Sequence, residues 1–179
     1  SGDVGFGKTE VAMNAMLAVV LDGHQTLFVC PTTLLASQHY HGIKKRFDEF
    51  GIKVAKLDGK STTKEKNEVK KSLENGDIQV VIGTHSLLSV KTKDLALVII
   101  DEEHKFGVKQ KEKLKQLRED VHIFSMSATP IPRTLNLALS KLKGMSSLLT
   151  PPSERLGVRT YVKEYSEKLI KEIVLREKR

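Results

Sequence analysis

The chain has 179 residues, of which 39% are hydrophobic, so it is long enough and apolar enough to bury the core of a globular domain. It contains neither a long apolar run nor a signal-peptide pattern, so we expect a cytoplasmic protein that does not span a membrane. The formal net charge of +8 favours a polyanionic partner, although lysine-rich solvated helices would give the same balance. Cys30 is the single cysteine, which excludes an internal disulfide, and the six histidines are scattered, so we expect no structural zinc.

The amino-terminal stretch fits the phosphate-loop pattern G-x-x-x-x-G-K-[ST]. Its residues are Gly2, Asp3, Val4, Gly5, Phe6, Gly7, Lys8 and Thr9. In such a loop, glycines let backbone N–H groups surround the phosphates, the lysine adds a positive charge and the hydroxyl reaches Mg²⁺. A phosphate loop normally follows a strand, and only Ser1 precedes this one. Either the first strand is truncated or the match is accidental, and the helical pattern of residues 10–21 favours truncation.

The remaining pattern predicts strands and helices in alternation, which is typical of an α/β fold with a mostly parallel sheet. The predicted strands are 26–30, 52–57, 78–82, 95–100, 121–124 and 145–149, and the predicted helices are 10–21, 34–50, 62–75, 109–118 and 133–140. Thr32 and Thr33 follow one strand, and Thr84 and His85 follow another. Such side chains at strand ends are placed to hold phosphates, although plain capping of the next helix explains Thr32 and Thr33 equally well.

The apolar run 95–100 predicts a central strand that is buried on both faces and leads directly into Asp101, Glu102, Glu103 and His104. Ligands of open α/β sheets bind beyond the carboxyl ends of the strands, so the first two acids are placed to hold a metal ion and a water molecule. An ordinary solvated loop is the alternative, and the phosphate-loop motif argues against it.

Two further segments complete the pattern. Residues 125–134 contain Ser127 and Thr129, and Pro130 and Pro132 forbid a regular helix there, so the hydroxyls are held in the same crevice. Residues 151–157 have the composition of a linker, which divides the chain into a domain at 1–150 and a tail at 158–179. The tail predicts a strand at 158–162 and a helix at 167–176, and we interpret it as the beginning of a second domain.

In this order, the motifs resemble those of the first motor domain of superfamily 2 helicases and translocases of the DExH type. Several stretches are more narrowly similar to the bacterial transcription-repair coupling factors, with the branched-DNA helicase RecG as the nearest relative. These stretches are 2–10, 31–36 with 38–40, 82–85, 101–108 and 128–136. Phe6 and Glu103 stand where RecG proteins tend to have Ser and Gln, which favours the coupling factors.

The resemblance implies a RecA-like P-loop NTPase domain, with three layers and helices on both faces of the sheet, that uses ATP and Mg²⁺. It also implies a role for each matching residue. Lys8 and Thr9 would bind the phosphates and Mg²⁺, Asp101 would hold Mg²⁺, and Glu102 would activate the attacking water. Three residues would couple the γ-phosphate to movement: His104, Ser127 and Thr129. Four would face the DNA backbone: Thr32, Thr33, Thr84 and His85. Residues 58–61 depart from the DNA-contacting segment of the family.

For the whole protein, the resemblance implies translocation on double-stranded DNA, displacement of stalled RNA polymerase and recruitment of the excision-repair damage-recognition protein. The partner-binding regions and the arginine finger of the second motor domain lie outside this sequence, so we expect a monomeric fragment that hydrolyses ATP weakly. The alternatives are fork remodelling of the RecG kind, a metabolic P-loop kinase or GTPase, and a non-catalytic nucleic-acid-binding module.

Overall fold

A computed structural model describes residues 1–117, 120–128, 144–153, 160 and 162–177. Its centre is a sheet of five parallel strands in the order β2-β3-β1-β4-β5. The strands are β1 (Gln25–Val29), β2 (Val54–Leu57), β3 (Val80–Gly83), β4 (Leu95–Asp101) and β5 (His122–Met126). The predicted α/β fold is confirmed, and because all five strands are parallel, their carboxyl ends lie at one edge of the sheet.

Helices cover both faces of this sheet. The described helices are α1 (Lys8–Leu21), α2 (Thr33–Asp48), α3 (Thr63–Asn75), α4 (Val108–Leu117) and α5 (Glu167–Glu177), with short 3₁₀ helices at His85–Ser89 and Glu103–Lys105. Apolar residues of α1 and α2 pack against one face of the sheet, and those of α3, α4 and the first 3₁₀ helix pack against the other. The result is the predicted three-layer arrangement.

Local sequence signals explain where the helices begin and end. Thr62 and Glu65 form the capping box that starts α3, and Gly76 ends that helix in the left-handed conformation. Thr32 caps α2 by accepting a hydrogen bond from the Leu35 N–H at 3.3 Å. None of the described helices is both long and apolar enough to cross a lipid bilayer.

The buried side chain of Gln25 fixes the start of β1, the middle strand of the five. Its amide nitrogen donates to the carbonyls of Leu73 at 2.9 Å and Ile78 at 2.7 Å. Its amide oxygen accepts from the N–H groups of Lys93 at 2.9 Å and Asp94 at 3.1 Å. All the usual hydrogen bonds of this amide are therefore made to backbone groups of two neighbouring segments, which makes its burial compatible with a stable core.

One predicted strand is wrong. Residues 145–149 form no strand, only an isolated parallel bridge between Leu148 and Gly2, beside which the Ser146 carbonyl accepts from the Ser1 ammonium at 2.7 Å. The ladder cannot extend because the chain turns into a loop immediately after Asp3. The predicted helix 133–140 and most of the predicted strand 158–162 lie outside the described residues. The two 3₁₀ helices were not predicted.

Candidate functional site

The amino-terminal loop has the backbone of an anion-binding turn. Gly5 and Gly7 have φ angles of 76° and 84°, in the left-handed region that glycine adopts without strain. Gly7 is the N-cap residue of α1 and has no side chain with which to cap it, whereas threonines cap α2 and α3. The first N–H groups of α1, together with the positive end of the helix dipole, are therefore available to a phosphate.

The ammonium group of Lys8 is bonded within the loop. Its Nζ donates to the backbone carbonyls of Gly2 at 2.6 Å and Asp3 at 3.0 Å. Thr9 follows in the first turn of α1. An ammonium group has three hydrogens to donate, so one remains for a phosphate oxygen, and Lys8 would have to leave at least one carbonyl only to bind two phosphate oxygens.

Two acids stand at the carboxyl end of β4. Asp101 is the last residue of the strand, and its side chain is 12% exposed. The Glu102 side chain is 15% exposed, and its carboxylate accepts from the Ala128 N–H at 3.1 Å and lies 3.1 Å from His104 Nδ1. Glu102 has a φ of 54°, which typically costs a non-glycine residue about 1–3 kcal/mol. The strand and Ala128 hold this carboxylate in one orientation.

The loop and the acids meet at the carboxyl end of β5, on its last residue and the two that follow. The Gly2 N–H donates to the Ser127 carbonyl at 3.3 Å, and the Glu102 N–H donates to the Met126 carbonyl at 2.9 Å. Ala128, the next residue, holds the Glu102 carboxylate. Three consecutive residues therefore contact both motifs, which places the phosphate loop beside the acidic end of β4 although the two are about a hundred residues apart in the sequence.

The residues expected to couple hydrolysis to movement lie partly within this site. His104 is half-exposed and faces the Glu102 carboxylate. Ser127 contacts the phosphate loop through its carbonyl. Thr129 lies outside the described residues.

The residues expected to face DNA follow the two neighbouring strands β1 and β3. The Cys30 N–H donates to the Gly83 carbonyl at 2.8 Å, which joins the two strand ends. Thr32 caps α2, as the capping alternative proposed, while its hydroxyl hydrogen is still able to donate to a phosphate. Thr84 is 9% exposed, and its Oγ1 lies 3.4 Å from Ser86 Oγ. Thr33 and His85 begin α2 and the 3₁₀ helix, so all four lie at the edge of the sheet that also contains the phosphate loop.

The donor set at this edge fits Mg²⁺. Among the described residues there is no group of three or more His, Cys, Asp or Glu side chains able to hold a metal ion, so a dedicated cage of protein ligands is absent there. Mg²⁺ usually binds one or two carboxylates, the phosphates of a nucleotide and several waters. Asp101 and the hydroxyl of Thr9 supply the protein oxygens that such a site requires.

His39 has no role predicted from the sequence, although its side chain contacts Asp101. Ala36, Ile43 and Phe47 form the buried stripe of α2, and His39 has the spacing of that stripe. A histidine within an apolar stripe is the signal that could have identified it. Cys30 is buried as predicted, and burial followed by the negative charge of Asp101 raises the pKa of its thiol to about 12.

Asp58 organises the segment 58–61, between β2 and α3. The residue is 2% exposed, and its Oδ1 accepts from the N–H groups of Lys60 at 2.9 Å and Ser61 at 3.2 Å. Lys56 Nζ lies 3.1 Å from Oδ2. Burial by itself would raise the pKa of Asp58, but Lys56 and the two N–H groups outweigh it and lower the pKa below its usual value.

We expect replacement of Asp58 by Asn to remove a pH-dependent part of the stability. Because the pKa of the folded state is lowered, the ionised carboxylate contributes stability above the pKa of the unfolded state, about 4, and loses it as the pH falls through the folded value. The Asn variant should therefore unfold at lower urea concentration at pH 7, and its difference from the wild type should shrink below about pH 4. Asp48→Asn, which removes an exposed ion pair with Lys44, is the control. If the Asn variant differed from the wild type equally at both pH values, the stabilising role of the ionised Asp58 carboxylate would be contradicted.

Comparisons with known proteins agree with this geometry. The DEAD/DEAH box helicase family model matches residues 1–138. The chain is 58% identical over all 179 residues to the transcription-repair-coupling factor of Helicobacter pylori, and it spans 18% of that protein. Over 178 residues, which are 98% of the chain, it is 46% identical to the transcription-repair-coupling factor of Escherichia coli, of which it spans 16%. The chain therefore spans less than a fifth of the length of these relatives.

Solved structures share the fold. The structure of RecG bound to a three-way DNA junction has a TM-score of 0.73 and 44% identity, and the match covers 88% of this chain and 21% of that one. The helicase MrfA bound to DNA has a TM-score of 0.64 at 23% identity, over 82% of this chain and 24% of that one, which shows the fold alone. The chain belongs to the DEAD/DEAH box helicase family and is a RecA-like helicase domain similar to one segment of the transcription-repair coupling factors.

Proposed function

We propose that this chain is the first motor domain of an ATP-driven translocase that moves on double-stranded DNA. The observation that supports it most strongly is the set of hydrogen bonds at residues 126–128, which join the phosphate loop to the Glu102 carboxylate. Phosphoryl transfer depends on position and charge more than on covalent chemistry, so bringing these groups together is the main requirement. The similarity to RecG bound to a DNA junction and the net charge of +8 support DNA as the partner.

In this proposal the residues have the following roles, which their positions support for every one except Thr129, a residue outside the described part of the chain. The N–H groups of the loop and Lys8 bind the phosphates, and Thr9 and Asp101 hold Mg²⁺. When bound, Mg²⁺ would neutralise charge on the phosphates and orient them. Glu102 orients a water molecule and accepts its proton at the carboxylate. His104, Ser127 and Thr129 respond to the γ-phosphate, and Thr32, Thr33, Thr84 and His85 contact the DNA backbone.

We further propose that residues 1–150 form this motor domain, that 151–157 are a linker and that 158–179 begin a second motor domain. The helix α5 supports the division, because none of its residues is buried and Ile170, Ile173, Val174 and Leu175 are exposed. An arginine finger from the second domain typically contributes about 10³–10⁵-fold in rate, so the chain by itself should hydrolyse ATP slowly.

In the whole protein, the proposed task is to displace stalled RNA polymerase and to promote excision repair by recruiting the damage-recognition protein. The similarity to coupling factors along the full length of the chain supports this role. Fork remodelling of the RecG kind is the second candidate, and the 44% identity to RecG favours it over any metabolic kinase.

The two candidates predict different substrates for the full-length protein that contains this chain. We expect it to release RNA polymerase stalled on linear double-stranded DNA in an ATP-dependent reaction, because a translocase pushes what blocks its path. The measurement is the fraction of labelled transcript released, with a three-way DNA junction tested in parallel. Remodelling of the junction without release of the polymerase would support the RecG-like role instead. The absence of any DNA-dependent ATP hydrolysis would contradict both.

A further inference from the structure

The side chain of His39 bridges the helix α2 and the acidic end of β4. It is 16% exposed, and its ring lies on that of Phe28 in β1, with centroids 4.8 Å apart and planes tilted by 40°. Its Nε2 lies 3.3 Å from Asp101 Oδ2. The imidazole is thus held by packing on one side and by a carboxylate on the other.

The chemistry of the two side chains shows which atom donates the hydrogen bond between His39 and Asp101. An ionised carboxylate only accepts hydrogen bonds, so Nε2 of His39 is the donor and Oδ2 of Asp101 the acceptor. Among the described residues, no other hydrogen bond to the Asp101 side chain is present. Oδ2 is therefore directed toward α2, which leaves Oδ1 as the oxygen for a water molecule or a metal ion. Groups that orient a metal-binding carboxylate in this way typically change metal affinity or activity by 10–100-fold when they are removed.

The contact between His39 and Asp101 also connects Asp101 to the amino-terminal end of α2. Thr32 caps this helix and Thr33 begins it, and both are proposed to face DNA. His39 lies about two turns further along, and a regular helix transmits displacement over that distance as a stiff rod. A shift of α2 caused by DNA would therefore move the hydrogen bond that orients Asp101.

We propose that His39 is a positioning residue that orients Asp101 for the Mg²⁺–nucleotide complex and links this site to the DNA-facing end of α2. This inference rests on the proposed function. It assigns no proton transfer to His39, only a donated hydrogen bond. A purely structural role, in which the ring fills space beside Phe28, is the alternative that an experiment must separate.

Two substitutions separate orientation from packing. His39→Phe keeps an aromatic ring beside Phe28 and removes the donor, whereas His39→Gln loses the ring and keeps an N–H near the position of Nε2. His41→Gln is the matched control, since His41 is exposed on the same helix. Should the Phe variant fail to fold, His39→Asn replaces it, because its shorter amide does not reach Oδ2. Thermal unfolding of each variant checks the fold.

The main readout is binding of a fluorescent ATP analogue as a function of Mg²⁺ concentration, followed by ATP turnover with and without double-stranded DNA in the full-length protein. For His39→Phe we expect the Mg²⁺ concentration at half-maximal binding to rise at least about 10-fold and the stimulation by DNA to fall, with His39→Gln within about 3-fold of the wild type. His41→Gln should match the wild type.

Two results would overturn the role of His39 and leave the proposed function intact. One is unchanged Mg²⁺ dependence and DNA stimulation in His39→Phe, which together with a loss in His39→Gln would indicate packing. The other is an equal loss in the Gln and Phe variants, which would show that the donated N–H does not account for the effect. Failure of the wild-type protein to bind nucleotide in the presence of Mg²⁺ would remove the proposed function and this inference together.

Discussion

Replacing Glu102 by Gln is expected to lower ATP turnover by about 10²–10⁴-fold while nucleotide binding stays unchanged. The amide of Gln has nearly the shape of the carboxylate and keeps an oxygen that can accept from the Ala128 N–H, so the local structure should persist. It cannot accept a proton from the attacking water as a carboxylate does. Binding uses the phosphate loop, which this substitution does not touch.

The neighbouring acid supplies a matched control. Glu103 accepts from the Ser125 hydroxyl at 2.6 Å and has no assigned role in hydrolysis, so Glu103→Gln should retain most of the turnover. The measurement is steady-state ATP hydrolysis with double-stranded DNA, beside nucleotide affinity, in the full-length protein. Equal turnover in the Glu102 variant and the wild type would exclude Glu102 as the proton acceptor. Unchanged behaviour in every assay would favour a non-catalytic binding module.

Replacing Gly83 by Ala is expected to destabilise the chain by about 3 kcal/mol, whereas the same substitution at Gly42 should stabilise it by about 0.5–1 kcal/mol. A Cβ at Gly83 would overlap the Leu57 carbonyl oxygen, which is backbone of the neighbouring strand β2 and cannot move aside without disturbing the sheet. A Cβ at Gly42, in the exposed part of α2, would meet nothing within 4 Å. Ala also restricts the unfolded chain more than Gly does.

Urea unfolding of both variants at pH 7 tests this pair. The opposite signs of the two changes in stability matter more than their magnitudes. A general sensitivity to alanine would shift the unfolding midpoints of both variants in the same direction. The Gly83 carbonyl accepts from the Cys30 N–H, so a displaced β3 should also disturb the end of β1. A stable Gly83→Ala variant would show that β2 and β3 do not approach as closely as the structure has them.

The sequence predicted the fold because its signals are local and repeated. Each described strand of the sheet was predicted to within a few residues, since β2 alternates and the other four are mainly apolar runs, and each run ends in Gly, Pro or polar side chains. The capping box of Thr62 and Glu65 and the αL glycine after α3 also follow from local chemistry alone. The grouping of the phosphate loop with Asp101 and Glu102 at one edge follows from parallel strands, because their carboxyl ends must lie on the same side.

What the sequence did not predict depends on contacts between distant segments. The run 145–149 has the composition of a strand, but its pairing depends on Gly2, where the chain turns away. The four hydrogen bonds of Gln25 and the contact between His39 and Asp101 join residues far apart in the sequence, so no spacing rule shows them. The left-handed backbone of Glu102 could not be predicted from the sequence either, because glutamate rarely adopts a positive φ.

The most direct test is a crystal structure of the chain with Mg²⁺ and a non-hydrolysable ATP analogue. We predict that Lys8 Nζ leaves the carbonyls of Gly2 and Asp3 and binds the terminal phosphates. The metal should lie between those phosphates and Asp101, with Glu102 facing a water molecule beside the last phosphate. A nucleotide bound away from the loop, or a metal that shares no water or oxygen with Asp101, would contradict the assignment of a hydrolytic motor site to this edge of the sheet.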